Sequence, residues 1–313
     1  MAIYYPKAYT DGMKILVTGA SGFVGPHLVR TLQDAGHVVK TANTPGQGGA
    51  TYSLDLTDLE RVMSIDFKEL DGIINLAGLA AVAPSFTSPS RYLHVNGDIQ
   101  TNLFEAASAQ GATPKMLTIS SGSLYDPASP LPLSELSAVR CTSPYGVSKR
   151  LQEEITLYYG LRGFHVMVAR PFNHIGPGQS TGFIVPDLVK ELAEAKRDRR
   201  TTIAVGTLSA RRDYTDVRDI CLAYLSLIEL GRPGEVYNVC SGISHSGDEL
   251  LNQLFSMSNT SGITSVLDPM KQRPIDTPNI YGTADKLFLD TGWTPTYSLE
   301  QTLSDVITEA GLR

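Results

Sequence analysis

The sequence predicts an α/β fold in which a doubly wound parallel sheet is joined to a second, smaller α/β domain. Three observations support this fold class. Short, continuous apolar runs alternate with helix-length stretches from Lys14 onward, as in a sheet that is buried on both faces. A glycine-rich turn directly follows the first apolar run. After Arg170 the chain changes to loops rich in Gly and Pro, which indicates a second unit.

Five apolar runs are interpreted as the buried strands of the sheet. These strands are expected at 14–18, 37–42, 72–77, 115–120 and 164–170. The helices between them are expected at roughly 23–35, 57–69, 90–110 and 144–162. Because apolar residues are continuous in the strands rather than alternating, the sheet is predicted to be parallel.

The second half of the chain is predicted to build the smaller domain. A helix is expected at 183–197, followed by "TTIAV" and a charged turn. A helix near 216–230 and a strand at 234–242 come next. We expect the large domain to span 13–172, with return segments near 212–242. The smaller domain is expected to comprise 173–211 and 243–313.

The composition argues against several classes of protein. A net charge of −6 is unlike that of a dedicated nucleic-acid binder, which carries a basic patch. Cys141, Cys221 and Cys240 form neither a metal-ligand spacing nor a disulfide framework, as is usual in a reducing compartment. The start of the chain lacks the regions of a secretory signal, and no apolar run approaches a membrane span. We therefore expect a cytoplasmic protein without a metal site.

The turn that follows the first strand has the chemistry of a pyrophosphate site. Gly19, Gly22 and Gly25 are spaced GxxGxxG and lead into a helix, whose N-terminus attracts phosphate. The sequence after the second strand, 41–45, carries neither the acid typical of NAD sites nor an arginine. NADPH is slightly favoured, and use of both dinucleotides is equally reasonable. Asp55 is either an adenine contact or an acid at a helix start.

A tyrosine and a lysine one helical turn apart form the candidate reaction centre. Tyr145 and Lys149 share one helix face in "SPYGVSK". Because a phenol ionises near pH 10, we expect the neighbouring ammonium group to lower the pKa of Tyr145 toward the working range. The hydroxyl of Ser121, at the end of a strand, is placed to polarise a carbonyl group.

Taken together, these motifs resemble the extended short-chain dehydrogenase/reductase family. The resemblance covers nearly the whole chain, through "TGASGFVG", "NLAG", "HVNGDIQTNLFEA", "SPYGVSK", "RPFNHIGPGQ" and "RRDYTDVRD". It implies that Tyr145 is the general acid/base, that Lys149 also holds the nicotinamide ribose, and that Ser121 binds the reacting oxygen. It implies further cofactor contacts from Phe23, Val24, Asn43, Leu56, Leu76, Ala77, Gly78, Asn96 and Pro171. Homodimers that pair the helices near 94–110 and 144–162 are common in the family.

The resemblance also points to a reaction. Sugar-nucleotide dehydratases of the family carry an acid where this chain has Gly122 and Ser123, which disfavours elimination. The motifs "RPFNHIGPGQS" and "ISSGSLYD" are most similar to those of reductases that act on GDP-4-dehydro-6-deoxy-D-mannose and make GDP-D-rhamnose. An epimerase or dehydratase of the same fold remains an alternative. A dinucleotide-binding sensor without catalysis is a further one.

The GDP-linked 4-keto-6-deoxy sugar implied by the resemblance needs its own contacts. The residues expected to supply them are Ser85, Ser123, Asn173, Lys190, Arg212 and Arg273. The two arginines suit a diphosphate because a guanidinium group binds phosphate in a fork, although each is also readable as a surface arginine paired with Asp213 or Asp276. Lys190 fits a solvated helix face better than a base contact. His174 is expected to be a hydrogen-bonding loop residue or a sugar contact rather than an acid/base.

Overall fold

The computed structural model describes residues 12–260, 262–271 and 277–313. Its strands, in chain order, are β1 (Lys14–Thr18), β2 (Val38–Asn43), β3 (Tyr52–Ser53), β4 (Gly72–Asn75), β5 (Lys115–Ile119), β6 (Val166–Pro171), β7 (Asn173–Ile175), β8 (Thr202–Val205), β9 (Arg211–Asp216), β10 (Val236–Val239), β11 (Ser244–Ser246), β12 (Thr264–Leu267) and β13 (Asn279–Ile280). Its helices are α1 (Val24–Asp34), α2 (Leu59–Val62), α3 (Val82–Ser85), α4 (Pro89–Ala109), α5 (Pro144–Leu161), α6 (Ile184–Arg197), α7 (Val217–Leu230), α8 (Gly247–Met257), α9 (Asp285–Thr291) and α10 (Leu299–Glu309). Three short 3₁₀ helices cover Phe67–Glu69, Gly122–Leu124 and Pro269–Lys271.

Seven strands form one parallel sheet in the order β10-β6-β5-β4-β1-β2-β3. The strand order reverses between β1 and β4, which is the switch point where ligands bind in doubly wound sheets. The carboxyl ends of β1, β4, β5 and β6 are therefore neighbours at one edge. Helices α4 and α5 pack on one face of this sheet and α1 and α7 on the other. The predicted parallel, doubly wound fold is confirmed.

The remaining strands build a smaller unit beside the carboxyl edge of the large sheet. Strand β9 pairs with β7, β11 and β13, and β8 pairs with β12. A separate hydrophobic cluster joins α6, α8 and α10 to this unit. The chain enters it at Asn173, immediately after β6, so β6 and β7 hold the two sheets side by side. The exact domain boundaries remain a prediction.

The single helix predicted over 57–69 is wrong. The chain forms the one-turn helix α2 and then a 3₁₀ turn, each capped by an aspartate. Asp58 accepts a hydrogen bond from the backbone N of Arg61, and Asp66 accepts one from that of Lys68. The interruption brings Ile65 and Phe67 into the core, where both are fully buried.

The charged turn predicted after "TTIAV" is also wrong, because its charged residues begin β9. Arg211 donates to the carbonyl oxygen of Ser244 at 2.7 Å and pairs with Glu249. The buried carboxylate of Asp213 accepts hydrogen bonds from the backbone N of Ser241 at 2.8 Å and of Gly242 at 2.9 Å. Partners that lie 28 or more residues away therefore make a charged sequence compatible with a central strand.

Candidate active site

The glycine turn lies at the switch point, between β1 and α1. Gly19 has φ +64, and a Cβ there would lie 2.9 Å from the backbone N of Ala77. A Cβ on Gly25 would lie 2.2 Å from the carbonyl oxygen of Ala20. Both positions thus require glycine for the turn to close against its neighbours. Phe23 is the N-cap and Val24 the first residue of α1, which has neither a side-chain cap nor an acid in its first turn.

These features fit a dinucleotide pyrophosphate. The free N–H groups at the start of α1 carry partial positive charge, and Gly22 keeps the approach to them open at the surface. Gly19, Gly22 and Gly25 therefore lie where the sequence predicts them.

Polar side chains near the ends of β2 and β3 are engaged in hydrogen bonds within the protein. Asn43 is buried, its Oδ1 accepts from the backbone N of Ser21 at 3.0 Å, and its Nδ2 donates to the carbonyl oxygen of Gln47 at 3.2 Å. The exposed carboxylate of Asp55 accepts from the N and the hydroxyl of Thr57, at 2.9 and 2.8 Å. It does not cap α2, because Asp58 does. The adjoining Leu56 is buried, and its carbonyl oxygen accepts a hydrogen bond from Asn102.

The loop after β4 is tied to both helices of one face. Leu76 and Ala77 are half-buried and Gly78 is exposed with φ +144. Asn96 on α4 accepts from the backbone N of Leu79 at 2.7 Å and donates to the hydroxyl of Ser148 at 2.8 Å. The fully buried Asn96 side chain thus binds the protein itself and fixes the loop that approaches the glycine turn.

Ser121 and Tyr145 come together at the carboxyl end of β5. Ser121 caps the 3₁₀ turn, and its hydroxyl donates to that of Ser123 at 2.9 Å. Tyr145 is the second residue of α5, which begins with Ser143 as N-cap and Pro144 in its first turn. Pro at this position and a serine cap favour a helix start just before the tyrosine. The phenol is 8% exposed, so it lies at the inner wall of the site.

The expected effect of Lys149 on Tyr145 is not what the structure shows. Burial raises the pKa of Tyr145, a hydrogen bond with Ser121 opposes the rise, and the nearby Tyr92 adds to it. Lys149 has no part in this shift, because its ammonium group points along α5 and toward β5. The phenol is therefore held in its protonated, proton-donating form.

Lys149 is buried within the protein. Its Nζ donates to the carbonyl oxygen of Ile119 and to Oε1 of Gln152, both at 2.9 Å. Burial lowers the pKa of Lys149 to about 8, and the charge of Glu153 opposes this. The ammonium group is thus charged at neutral pH and close to its titration.

A buried ion pair supports the helix that carries Tyr145 and Lys149. Arg170 on β6 donates to both carboxylate oxygens of Glu153 at 2.8 Å, and both side chains are nearly inaccessible. The Arg170 guanidinium also lies 5.0 Å from the ring centroid of Tyr125. This pair was not predicted from the sequence. Glu153 lies four residues after Lys149, on the same helix face, and Arg170 ends a predicted strand. These two positions could have indicated an ion pair between the helix and the strand.

The predicted substrate residues lie in different places. Asn173 is exposed beside the buried Pro171, and Ser123 is exposed beside Ser121. Ser85 is fully buried, and its hydroxyl donates to the carbonyl oxygen of Val82 at 2.6 Å. Lys190 is largely exposed on α6, with Glu194 3.9 Å away.

The two predicted phosphate arginines differ in what the structure shows. Arg212 donates to the carbonyl oxygens of Arg211 and Thr277, both at 2.7 Å. These bonds connect β9 to the segment that precedes β13. Arg273 and its alternative partner Asp276 lie outside the described residues.

The histidines connect the glycine turn to the loop after β7. The rings of His174 and Phe23 are parallel, with centroids 5.9 Å apart, and His27 Nε2 lies 3.0 Å from the carbonyl oxygen of Pro177. Burial lowers the pKa of His174, so its ring is neutral and Nδ1 lies 3.2 Å from the carbonyl oxygen of Phe172. His174 thus makes its hydrogen bond from within β7, and a sugar contact stays a prediction. His27 also contacts this loop, which sequence reasoning did not predict.

Comparison with known proteins decides the family. The model of the NAD dependent epimerase/dehydratase family matches residues 15–240. The chain belongs to this family. Within it, a GDP-6-deoxy-D-mannose reductase of Pseudomonas aeruginosa is 34% identical over 95% of this chain and 96% of its own. A GDP-6-deoxy-D-talose 4-dehydrogenase of Aggregatibacter actinomycetemcomitans is 32% identical over 79% of this chain and 80% of its own.

Solved structures of family members agree with the fold. The structure of RMD from Pseudomonas aeruginosa complexed with NADPH has TM-score 0.83 and 33% identity, and covers 96% of this chain and 100% of its own. A UDP-glucose 4-epimerase of Thermotoga maritima with UDP-glucose has TM-score 0.85 and 26% identity, and covers 95% and 98%. MoeE5 in complex with UDP-glucose and NAD has TM-score 0.82 and 25% identity, with the same coverage. The family is NAD(P)-dependent, and the resemblance noted from the sequence is confirmed.

The structure also bears on other classes of site. Within residues 12–260, 262–271 and 277–313, no cluster of three or more His, Cys, Asp or Glu is suited to a metal ion. In the same described part of the chain, no helix is both long and apolar enough to cross a bilayer.

Proposed function

We propose that this protein reduces the C4 ketone of GDP-4-dehydro-6-deoxy-D-mannose to give GDP-D-rhamnose, with NADPH or NADH as the reductant. The observation that supports this most directly is the pairing of Ser121 with a buried, protonated Tyr145 at the edge of the sheet that also carries the glycine turn. A phenol held as an acid suits a reaction that delivers a proton to a carbonyl oxygen. The names of the two GDP-sugar relatives support the substrate class.

Each side chain has a role in the proposed reaction. The hydroxyl of Ser121 holds the ketone oxygen, and Tyr145 gives it a proton. Two of the three N–H groups of Lys149 bind the protein, and the third holds the nicotinamide ribose. When bound, the dinucleotide supplies the hydride for C4. Gly19, Gly22 and the start of α1 hold its pyrophosphate.

The choice of a reductase over a dehydratase rests on positions 122 and 123. Gly122 and Ser123 carry no carboxyl group, and a Cβ at Gly122 would lie 3.0 Å from the ring of Phe172. Elimination of water needs an additional acid/base, which general acid–base catalysis values at roughly 10²–10⁴-fold in rate. Ser123 instead accepts the hydrogen bond of the Ser121 hydroxyl, which has to rotate away from Ser123 to donate to the ketone oxygen. Reduction needs no more than this set.

For the sugar nucleotide we propose contacts from both the large sheet domain and the smaller unit. Asn173 is exposed at the start of β7, so its side chain is accessible to a ligand. Arg212 and Arg273 are proposed to hold the diphosphate, and Ser123 the hexose. Ser85 and Lys190 are proposed as further contacts of the hexose and the base. Ser85 needs a movement of α3 to expose its hydroxyl, because it is fully buried here.

A homodimer is part of the proposal. Helix α5 exposes four apolar side chains at spacings of four, seven and three residues, namely Val147, Leu151, Tyr158 and Leu161. Such a spacing places them on one stripe of the helix, where a second copy would cover them. Light scattering on the purified chain and on Tyr158→Glu tests this. A monomeric unchanged chain would refute it.

The deciding experiment mixes the purified protein with GDP-4-dehydro-6-deoxy-D-mannose and either NADPH or NADH. Nicotinamide absorbance reports the oxidation, and NMR identifies the sugar product. We expect one dinucleotide oxidised for each GDP-D-rhamnose formed, and the faster of the two reactions gives the cofactor preference. Conversion of GDP-mannose or another sugar nucleotide without added dinucleotide would assign the protein to the dehydratases or epimerases. Binding of the dinucleotide without any turnover would favour a sensor.

A further inference from the structure

The ammonium group of Lys149 has a defined set of partners. It is buried, and its Nζ donates to the carbonyl oxygen of Ile119 and to Oε1 of Gln152, both at 2.9 Å. An ammonium group carries three N–H donors, so two fixed acceptors set the direction of the third. The Ile119 carbonyl belongs to the backbone of β5 and is present whatever the side chain. The acceptor that depends on sequence is therefore Gln152.

Gln152 is placed to act on Lys149. It lies three residues later on α5, on the same helix face, and is only 1% exposed. Its backbone carbonyl accepts a hydrogen bond from the hydroxyl of Thr156 at 2.7 Å, which ties the same residue to the packed interior of the helix pair. Its amide oxygen supplies an acceptor without a negative charge. A buried amide that faces a buried ammonium group replaces part of its lost hydration.

We propose that Gln152 is a positioning residue for the reduction. Its amide oxygen keeps Lys149 protonated, aims the remaining N–H at the bound dinucleotide, and thereby sets the upper end of the working pH range. The inference rests on the proposed function, in which Lys149 holds the nicotinamide ribose. It adds a residue of this chain that acts through Lys149 and touches neither substrate nor cofactor.

The charged groups near Lys149 have partners of their own, so Gln152 can still affect the pKa of Lys149. From α5 the Glu153 carboxylate acts on it, but that carboxylate is bound at both oxygens by Arg170 of β6. Arg150, also on α5, donates to Glu153 at 3.1 Å and reduces its effect further. From the same helix Tyr145 is a neutral phenol, because burial raises its pKa. From β5 the backbone carbonyl of Ile119 faces the group. Burial, which lowers the pKa of Lys149 to about 8, is the dominant influence.

Two substitutions with opposite expected effects test the proposal. Gln152→Leu removes the acceptor, so the pKa of Lys149 should fall by roughly one to two units, the effect of a hydrogen bond to a charged group. Gln152→Glu places a carboxylate at the ammonium group and should raise the same pKa. The readout is an NMR titration of the full-length protein with ¹³Cε-labelled lysine, with Lys149→Arg to assign the signal. The alkaline limb of kcat/KM should move with it, downward in one variant and upward in the other.

Gln110→Leu is the matched control. The Gln110 amide is also bound at both ends, because its Oε1 accepts from the backbone N of Phe67 at 3.0 Å and its Nε2 donates to the carbonyl oxygen of Ile65 at 2.8 Å, but these bonds involve neither Lys149 nor Gln152. The control should lose stability and leave the Lys149 titration in place. If Gln152→Leu does not fold, Gln152→Glu still gives the upward shift. A Lys149 titration that stays fixed, or that moves in one direction in both variants, would overturn the proposal.

The two proposals fail in different ways. A titration that shifts while the alkaline limb of kcat/KM stays in place would overturn the role of Gln152 in the reduction. If the unchanged enzyme does not turn over the GDP sugar at all, the proposed function fails instead. The NMR titration needs no substrate, so it decides the coupling between Gln152 and Lys149 in either case.

Discussion

Each face of the large sheet has an apolar cluster, but the two faces differ in how many polar side chains they bury. On one face, α4 and α5 bury polar side chains, namely Asn96, Gln100, Asn102, Ser148, Lys149, Gln152, Glu153 and Thr156. On the other face, α1 and α7 pack through an apolar cluster that includes Leu28, Leu32, Ile220 and Leu227. Both faces contain fully buried side chains. The difference is that only the first carries the helix with Tyr145 and Lys149.

The polar face is organised as a continuous chain of hydrogen bonds. It runs from the backbone of the loop after β4 to that of α5 and includes Ala77, Thr18, Asn75, Gln100, Thr118, Thr156 and Gln152. Each contact is directional, so the chain fixes the helix in one register relative to the glycine turn. An apolar contact has no such preference and tolerates small shifts. A polar interior therefore suits the face where atomic positions decide the chemistry.

The largest difference between the faces should come from removing the Tyr145 hydroxyl. Tyr145→Phe should lower kcat by roughly 10²–10⁴-fold, the typical contribution of a general acid, and should leave NADPH affinity nearly unchanged. Steady-state rates and dinucleotide titration measure the two effects. Tyr159→Phe is the control, since Tyr159 lies on the same helix and donates to Glu105 at 2.6 Å, far from the reaction centre. Unchanged turnover of Tyr145→Phe would rule out Tyr145 as the acid.

Breaking the ion pair of the polar face should cause the largest loss of stability. Glu153→Gln leaves the buried Arg170 without a countercharge, which should lower the free energy of unfolding by about 3–5 kcal/mol. Denaturant unfolding measures this loss. The double variant Glu153→Met with Arg170→Met should recover most of it, because no charge remains buried. A loss below about 1 kcal/mol for Glu153→Gln would show that the pair is not buried as described.

On the apolar face, we expect a cavity to lower the stability of the protein without changing catalysis. Leu32→Ala removes a fully buried side chain between α1 and α7, and should lower the free energy of unfolding by roughly 2–5 kcal/mol. At a temperature where the variant is folded, its kcat and the pH dependence of kcat/KM should match those of the unchanged enzyme. A change in either would mean that the apolar face also positions the reaction centre.

The sequence predicts the faces unequally. The strands and the long helices follow from hydrophobic periodicity, and the glycine turn from spacing, so β1, β2, β4, β5, β6, α1, α4 and α5 lie within two residues of their predicted ends, whereas β10 ends three residues earlier than predicted. The break at Asp66 and the strand at Arg211 were missed, because both depend on partners that only the folded chain supplies. Periodicity describes which residues are apolar. It carries no information on which buried polar groups meet.

The candidate site shows the same limit. Ser121 and Tyr145 meet at the carboxyl end of β5, and the glycine turn follows β1 at the same edge of the sheet, while the roles of these residues stay predictions. The direction of the Lys149 side chain does not follow from its position one turn after Tyr145, because Gln152 and the Ile119 carbonyl compete for its N–H groups. Helix spacing places a Cβ atom, and a long flexible side chain then goes to the nearest buried acceptor. This is why the expected lowering of the Tyr145 pKa by Lys149 is not found.

The smallest expected effect is the pH dependence of the unchanged enzyme. It arises from residues of the polar face alone. Tyr145 must be protonated to donate, and burial raises its pKa, so it stays competent as the pH rises. Lys149 must be charged, and its pKa is lowered to about 8, so it loses its proton first. Between pH 7 and pH 9, kcat/KM should therefore fall by about tenfold.

Variants on each face show where this alkaline limb arises. Glu153→Gln should move the limb to lower pH, because the charge of Glu153 raises the pKa of Lys149. Leu32→Ala should leave the limb in place, because Leu32 lies on the opposite face of the sheet. The measurement is the rate at each pH, with saturating and with limiting GDP sugar, which gives kcat and kcat/KM for each variant. A limb that starts above about pH 10 would mean that Lys149 is not buried in the active enzyme, since a solvated lysine titrates there.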